Sequence, residues 1–153
     1  MNMNRFVKRA ILSLAIMISG MPVVSAQKYF SELTGRKDIE TVYVSKALLA
    51  SAPSLGSLGR FGVQLGKATS LSVFTTNKTS GLKACRESLA AFVSANSDAE
   101  LLFQQNDDED VTSVYGIPVS GNEGKYSLLL VYNADQTDAT LVVITGEVTF
   151  DPA

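Results

Sequence analysis

The chain has 153 residues, a formal net charge of −2, a single cysteine and no histidine. Without histidine there is no imidazole base for a Ser-His-Asp or Cys-His arrangement, and a structural zinc site, which needs about four nitrogen or sulfur ligands, is excluded as well. No block of basic residues follows the first nine positions, whereas nucleic-acid binding depends on clustered Lys and Arg. We therefore expect neither a cofactor nor a nucleic-acid partner.

The first 26 residues have the pattern of a cleaved signal peptide. Three cations at 5–9 precede an apolar run at 10–18, and small residues precede a cleavage point after Ala26. The run is about half as long as the roughly 20 residues of a spanning helix, so we expect cleavage rather than an integral membrane segment. Gln27 stands where a lipoprotein has cysteine. The mature domain, 27–153, is therefore predicted to be periplasmic or secreted and not lipid-anchored.

The predicted mature chain has the size of one domain. Removing 26 of the 153 residues leaves 127, a length at which roughly two-thirds of the unfolded surface is buried on folding. Three of the 13 Lys and Arg residues lie in the signal peptide, so 10 remain against 15 acidic residues, a net charge of −5. We expect one acidic domain with its own hydrophobic core.

The first half of this domain alternates between helical and strand patterns. In chain order we predict a short helix at 28–38, a strand at 39–45, a helix at 46–52, a strand at 69–76 and a long helix at 80–95. Apolar residues at helical spacing mark the long helix, and Asn96 is expected to end it in the left-handed conformation. The segment 54–68 contains four glycines and is either a loose helix or a mobile loop.

The second half is predicted to contain only strands, at 99–105, 111–119, 125–133 and 139–149. Connections of about five residues join them, which indicates an antiparallel meander. Pro118 cannot donate to a sheet ladder, so its strand lies at an edge or bulges there. The run at 128–131 is apolar at every position, as expected of a central strand. The fold class is therefore α+β, with a mostly antiparallel sheet of about six strands and two helices packed on one face, in the order β-α-β-α-β-β-β-β.

Two residue patterns could carry catalysis. Cys85 could be a reactive thiol or form an intermolecular bridge, but it lies on the apolar stripe of the long helix, which favours a buried side chain. Ser80 and Lys83 match S-x-x-K at a helix start, as in penicillin-recognising enzymes, but the partner motifs of that fold are missing. A helix N-cap at Ser80 is the favoured interpretation. We expect no catalytic residues and no enzyme.

Three further patterns resemble binding or modification sites but lack essential parts. The segment 62–68, G-x-x-x-G-K-A, is one residue too short for a phosphate loop and has no Ser or Thr after its lysine. The acidic run 106–110 lacks the order of a calcium loop, so a solvated hairpin turn is favoured. Asn77 begins a glycosylation sequon, N-K-T, and suffices as a turn residue.

Two stretches resemble a known family. These are the first predicted strand with the helix start after it, TVYVSKALL at 41–49, and the paired strands SLLLVY at 127–132 and LVVITGEV at 141–148. Their order around the long helix is similar to that of the domain-of-unknown-function 4252 family, a group of small exported proteins found largely in Bacteroidetes. The resemblance covers about 29–150. It implies the fold and carries no functional residues.

Three functions remain open at this point. A non-catalytic cell-envelope module that binds a protein partner, through an exposed sheet face or the glycine-rich segment, fits the missing catalytic groups and the export signal. A carrier of small ligands or lipids would use a pocket between helix and sheet covered by 54–68. A hydrolase without histidine would need a carboxylate, Ser or Lys with a strongly shifted pKa. The protein-binding module is favoured.

Overall fold

The computed structural model describes residues 30–51, 63–121 and 124–150. A 3₁₀ helix, Ser31–Leu33, comes first. The helices and strands that follow are β1 Glu40–Ser45, α1 Lys46–Ser51, β2 Val63–Thr76, α2 Thr79–Ala95, β3 Glu100–Asn106, β4 Val111–Pro118, β5 Lys125–Ala134 and β6 Ala139–Phe150. Neither described helix combines the length and apolarity needed to cross a membrane. The predicted signal peptide at 1–26 and the segment 54–62 lie outside the described residues.

All six strands form one antiparallel sheet, in the order β1-β2-β6-β5-β4-β3. Strands β3 to β6 make the predicted meander. Strand β2 pairs with β6 on one side and with β1 on the other, so β1 lies at the edge of the sheet. The α+β class, the six antiparallel strands, the two helices and their order along the chain are confirmed.

Apolar side chains cover both faces of the sheet, because successive residues of a strand point to opposite faces. One cluster lies under α2 and includes Phe74, Cys85, Leu89, Phe92, Leu128, Leu130 and Leu141. The other lies on the opposite face and includes Leu71, Leu129, Val131, Val142, Ile144 and Val148. The run Leu128–Val131 alternates between the two clusters and is buried throughout. It is the central strand segment that its apolar sequence predicts.

The two helices do not share one face, which corrects the predicted placement of α1. Leu49 of α1 packs against the cluster opposite α2. Both faces of the sheet are apolar, so both need cover. The side chains of α2 cover one face, and Leu49 contributes to the other.

The segment 63–68 is part of strand β2, so the prediction of a loose helix or loop there is wrong. Its backbone pairs with β6 from Val63↔Phe150 onward. Two register shifts interrupt this pairing, and at the second Ala68 lies opposite Gly146 and Thr69 is the extra residue. A bulge of this kind bends a strand and increases its twist. Pairing with β6 therefore outweighs the weak strand preference of Gly66.

Three local predictions have different outcomes. The helix predicted at 28–38 is limited, in the described part of the chain, to one 3₁₀ turn at Ser31–Leu33. Asn96 ends α2 with an extended φ of −117° rather than a left-handed one. Its side-chain amide instead donates a 2.8 Å hydrogen bond to the carbonyl oxygen of Phe92. Pro118 lies at a register shift in the β4–β5 pair, which confirms the predicted bulge.

Candidate functional site

Strand β1 forms one edge of the sheet. It pairs with β2 without a register shift, from Glu40↔Thr75 to Ser45↔Ser70. Among the described residues, no strand pairs with its other side. Every second residue of such a strand directs its N–H and C=O groups away from the sheet, where another strand can bind them. With six residues, β1 offers a hydrogen-bonding edge about 20 Å long.

Strand β1 exposes an apolar side chain on each face of this edge. Val42 is 49% exposed and Tyr43 is 64% exposed. Val42 and Val44 lie on the face opposite α2, and Tyr43 lies on the α2 face, as the sequence predicts. A strand added at this edge would therefore contact an apolar side chain on each face.

The two edges of the sheet differ in how well they are protected. Natural edge strands carry lysine, proline or bulges that prevent pairing with other chains. At the β3 edge, the register shifts between Leu101 and Phe103, and the strand runs into the acidic turn 107–110. Strand β1 has no lysine, proline or register shift, and its one charged residue is Glu40. The β1 edge is the more open of the two.

One buried hydroxyl of β1 is unsatisfied. The Oγ1 atom of Thr41 is buried and has no hydrogen-bond partner within the described residues. An unpaired buried polar group costs about 1–3 kcal/mol. Thr41 pairs in register with Phe74 and shares the α2 face with Tyr43. The unsatisfied group therefore lies on the open edge strand.

A polar junction around Asp38 fixes the entry to β1. Arg36 donates two hydrogen bonds of 2.8 Å to the Asp38 carboxylate, and the Ser80 hydroxyl donates one of 2.6 Å. The Thr76 hydroxyl donates a 2.6 Å hydrogen bond to the backbone oxygen of Asp38. Gly81 leaves room for this contact, since a Cβ there would lie 2.8 Å from that oxygen. The junction ties the start of β1 to the end of β2 and the start of α2.

The two residues of the candidate catalytic pair, Ser80 and Lys83, each interact with a different partner. Ser80 donates to Asp38 rather than capping α2, whose N-cap is Lys78 without a side-chain hydrogen bond. The predicted N-cap role of Ser80 is therefore wrong. Hydrogen bonds from Arg36 and Ser80 hold the pKa of Asp38 well below its usual range, which makes it a weak base. Lys83 instead lies 3.9 Å from Glu87 in an exposed ion pair.

Cys85 is fully buried in the cluster under α2. Burial raises the pKa of its thiol to about 11. A thiol becomes reactive when its pKa falls, because the thiolate is the nucleophile. The buried-side-chain interpretation of Cys85 is confirmed.

The remaining sequence patterns lie on ordinary structural elements. Residues 63–68 of the phosphate-loop-like segment are strand, whereas a phosphate loop precedes a helix. The acidic run forms the β3–β4 hairpin turn, closed by two hydrogen bonds between the backbones of Asp107 and Asp110. No group of three metal-binding side chains occurs in the part of the chain described above. Asn77 is an exposed residue between β2 and α2.

A small cavity adjoins the edge on the α2 face. Its volume is about 240 Å³, below the roughly 300–1,000 Å³ of most ligand pockets. Its lining combines aromatic rings and hydroxyl groups, from Phe30, Tyr43, Phe74, Ser70, Ser72 and Thr145. The Thr145 hydroxyl hydrogen-bonds with those of Thr69 and Ser70. The cavity lies beside α2. The space under α2 is filled, because Cys85 and Phe92 are fully buried there.

A six-stranded antiparallel sheet with apolar clusters on both faces and one open edge defines a small α+β domain. Residues 29–153 match the family described as domain of unknown function DUF4252. The chain belongs to this family, which confirms the resemblance carried by its first and last strands. No curated protein and no solved structure matches the chain.

Proposed function

We propose that this protein is a non-catalytic binding module of the cell envelope and that it binds a protein partner through the open edge of β1. The observation that carries the proposal is the exposure of Val42 and Tyr43 on either side of an unprotected edge strand. In strand addition, backbone hydrogen bonds provide affinity, while alternate side chains provide specificity. The signal-peptide pattern at 1–26 supports export to the periplasm or beyond.

The surroundings of the two candidate nucleophiles, Ser80 and Cys85, support a non-catalytic role. Ser80 faces a carboxylate whose pKa is lowered, so proton transfer from the hydroxyl is unfavourable near neutral pH. Cys85 is buried and its pKa is raised. Neither side chain therefore has the activating neighbour that nucleophilic catalysis requires.

Site-specific photo-crosslinking in intact cells tests the binding edge. A photoreactive amino acid replaces Tyr43 in one variant and Ala90, an exposed residue of α2, in a matched control. We expect discrete crosslinked species from position 43 and none of the same species from position 90. The absence of any discrete species at position 43, or the same species from both positions, would contradict the proposal. Immunodetection of the processed chain in envelope fractions tests its location separately.

Small-ligand binding is the second candidate function. The aromatic rings and hydroxyl groups around the 240 Å³ cavity suit a small neutral polar molecule. A ligand that binds only the folded state raises the melting temperature. A thermal-shift screen of neutral metabolites would favour this function if a hit raises the melting temperature of the wild-type protein but not of the variant Ser72→Leu, which narrows the cavity. No shift with any compound counts against it.

A further inference from the structure

We infer that the partner strand at the β1 edge is β1 of a second copy of this chain, in an antiparallel register centred on Tyr43. The inference rests on the proposed function, because it names the occupant of the same edge. A two-fold axis perpendicular to the sheet would place Tyr43 opposite itself and join the two six-stranded sheets into one. Each α2 helix would then lie on the same face of the joined sheet.

The side chains of β1 match one another in this register. Directly opposite residues of an antiparallel pair lie on the same face of the sheet. On the face opposite α2, Val42 meets Val44 of the second copy. On the α2 face, Tyr43 meets Tyr43, and Thr41 meets Ser45. Aromatic pairs, pairs of β-branched residues and Thr–Ser hydroxyl pairs are the cross-strand contacts that stabilise sheets.

The charges at the two ends of β1 also match. Glu40 is the first residue of β1, and Lys46 follows its last residue; both are exposed. In the register centred on Tyr43, Thr41 of each copy pairs with Ser45 of the other, so Lys46, the first residue of α1, lies at the end of the strand where Glu40 of the other copy begins. The symmetry creates two such pairs, and no like charges meet along the strand. Thr41, whose hydroxyl is buried within its own chain, pairs through its backbone with Ser45 of the second copy.

The neighbouring registers match less well. A two-fold axis perpendicular to the sheet pairs residues that lie on the same face, so the axis has to pass beside one residue of β1. The neighbouring registers are therefore centred on Val42 or on Val44. Centring on Val42 places Glu40 opposite Val44, and centring on Val44 places Lys46 opposite Val42. Either choice sets a charged residue against an apolar one and separates the two tyrosines. The β3 edge offers no comparable self-pairing because its register is interrupted between Leu101 and Phe103.

Cysteine crosslinking tests the register. In Tyr43→Cys the two new cysteines would have Cα atoms about 4.5–5.5 Å apart, within disulfide range. In the matched control Val42→Cys they would be diagonal, about 7–8 Å apart and beyond that range. We expect mild oxidation to give a reducible dimer of Tyr43→Cys and little dimer of Val42→Cys. Buried Cys85 is present in both variants, and the unmodified protein shows its background. Equal crosslinking of the two variants, or none of Tyr43→Cys, would overturn the inference.

Charge exchange tests the same register without new cysteines. Sedimentation velocity over a concentration series measures self-association of the wild-type protein and three variants. We expect Glu40→Lys and Lys46→Glu each to weaken dimerisation about tenfold, because two attractive pairs become repulsive. The double variant should recover the wild-type affinity. A wild-type protein that is monomeric throughout, or equal association of all four proteins, would overturn the inference. If photo-crosslinking at position 43 then captures a different protein, the proposed function stands and only the second copy is refuted.

Discussion

Replacing Gly146 by alanine should destabilise the fold more than the same change at any other glycine with a positive φ among the described residues. Gly146 has a φ of +108°, where a side chain costs about 1–3 kcal/mol of backbone strain. A Cβ there would lie 2.6 Å from the Thr69 nitrogen and 2.7 Å from the Lys67 oxygen. Both are backbone atoms of the β2 bulge, so β2 has to shift, and overpacking of this kind costs about 1–3 kcal/mol. The two effects together give about 2–6 kcal/mol.

Urea denaturation of Gly146→Ala and of the control Gly35→Ala measures this difference. Gly35 also has a positive φ, +86°, but nothing lies within 4 Å of a Cβ at that position. The control should therefore lose only the strain energy, about 1–3 kcal/mol, with an unchanged denaturant slope. Equal losses in the two variants would refute the close packing of the β2 bulge against Gly146.

Three more outcomes follow from the buried and polar contacts. Phe92→Ala should lower the free energy of unfolding by about 3–5 kcal/mol, because the ring is fully buried and lies 5.6 Å from that of Phe30; a loss below about 1 kcal/mol in urea denaturation would contradict this packing. Cys85, with its raised pKa, should resist a thiol reagent in the folded protein and react fully in denaturant; fast labelling of the folded protein would show that the thiol is accessible. The lowered pKa of Asp38 stabilises the fold above the unfolded value of about 3.9, and this contribution is lost as pH falls below it. Asp38→Asn should therefore melt at a lower temperature than wild type at neutral pH and lose less on acidification, and parallel melting curves against pH would contradict the role of Asp38.

The elements that the sequence predicts well are those with a strong local pattern. The long helix follows from apolar residues at helical spacing, and its observed range, Thr79–Ala95, differs from the prediction by one residue. The four strands of the meander follow from alternating or continuous apolar runs separated by polar turns. The central position of 128–131 follows from its lack of polar side chains, and both core clusters use it.

The elements that the sequence misses depend on contacts distant along the chain. Residues 63–68 include glycine and helix-forming residues, yet they pair with β6 and so belong to strand β2. The hydroxyl of Ser80 donates a hydrogen bond to Asp38, 42 residues away in sequence, so the local N-cap rule fails there. The face on which α1 packs depends on the apolar side chains of the sheet below it, which no local pattern encodes.

The candidate site was only partly visible in the sequence. The alternation of Val42, Tyr43 and Val44 predicts which residues share a face, and the sheet confirms it. The position of β1 at the edge comes from the strand order, which requires pairing between segments far apart in the chain. The sequence signal for an open edge is a predicted strand that contains apolar residues on both faces and no lysine or proline. It becomes informative only when the strand is known to lie at an edge.

Residue-specific amide hydrogen exchange of β1, followed by NMR at low and high protein concentration, tests most directly whether this edge is open and pairs with a second strand. In dilute protein we expect the amides of every second residue within Glu40–Ser45 to exchange fast while their neighbours, bonded to β2, are protected. At high concentration the fast amides should become protected as well. Protection of all these amides in dilute, monomeric protein would show that the edge is already covered and would contradict the binding role of β1.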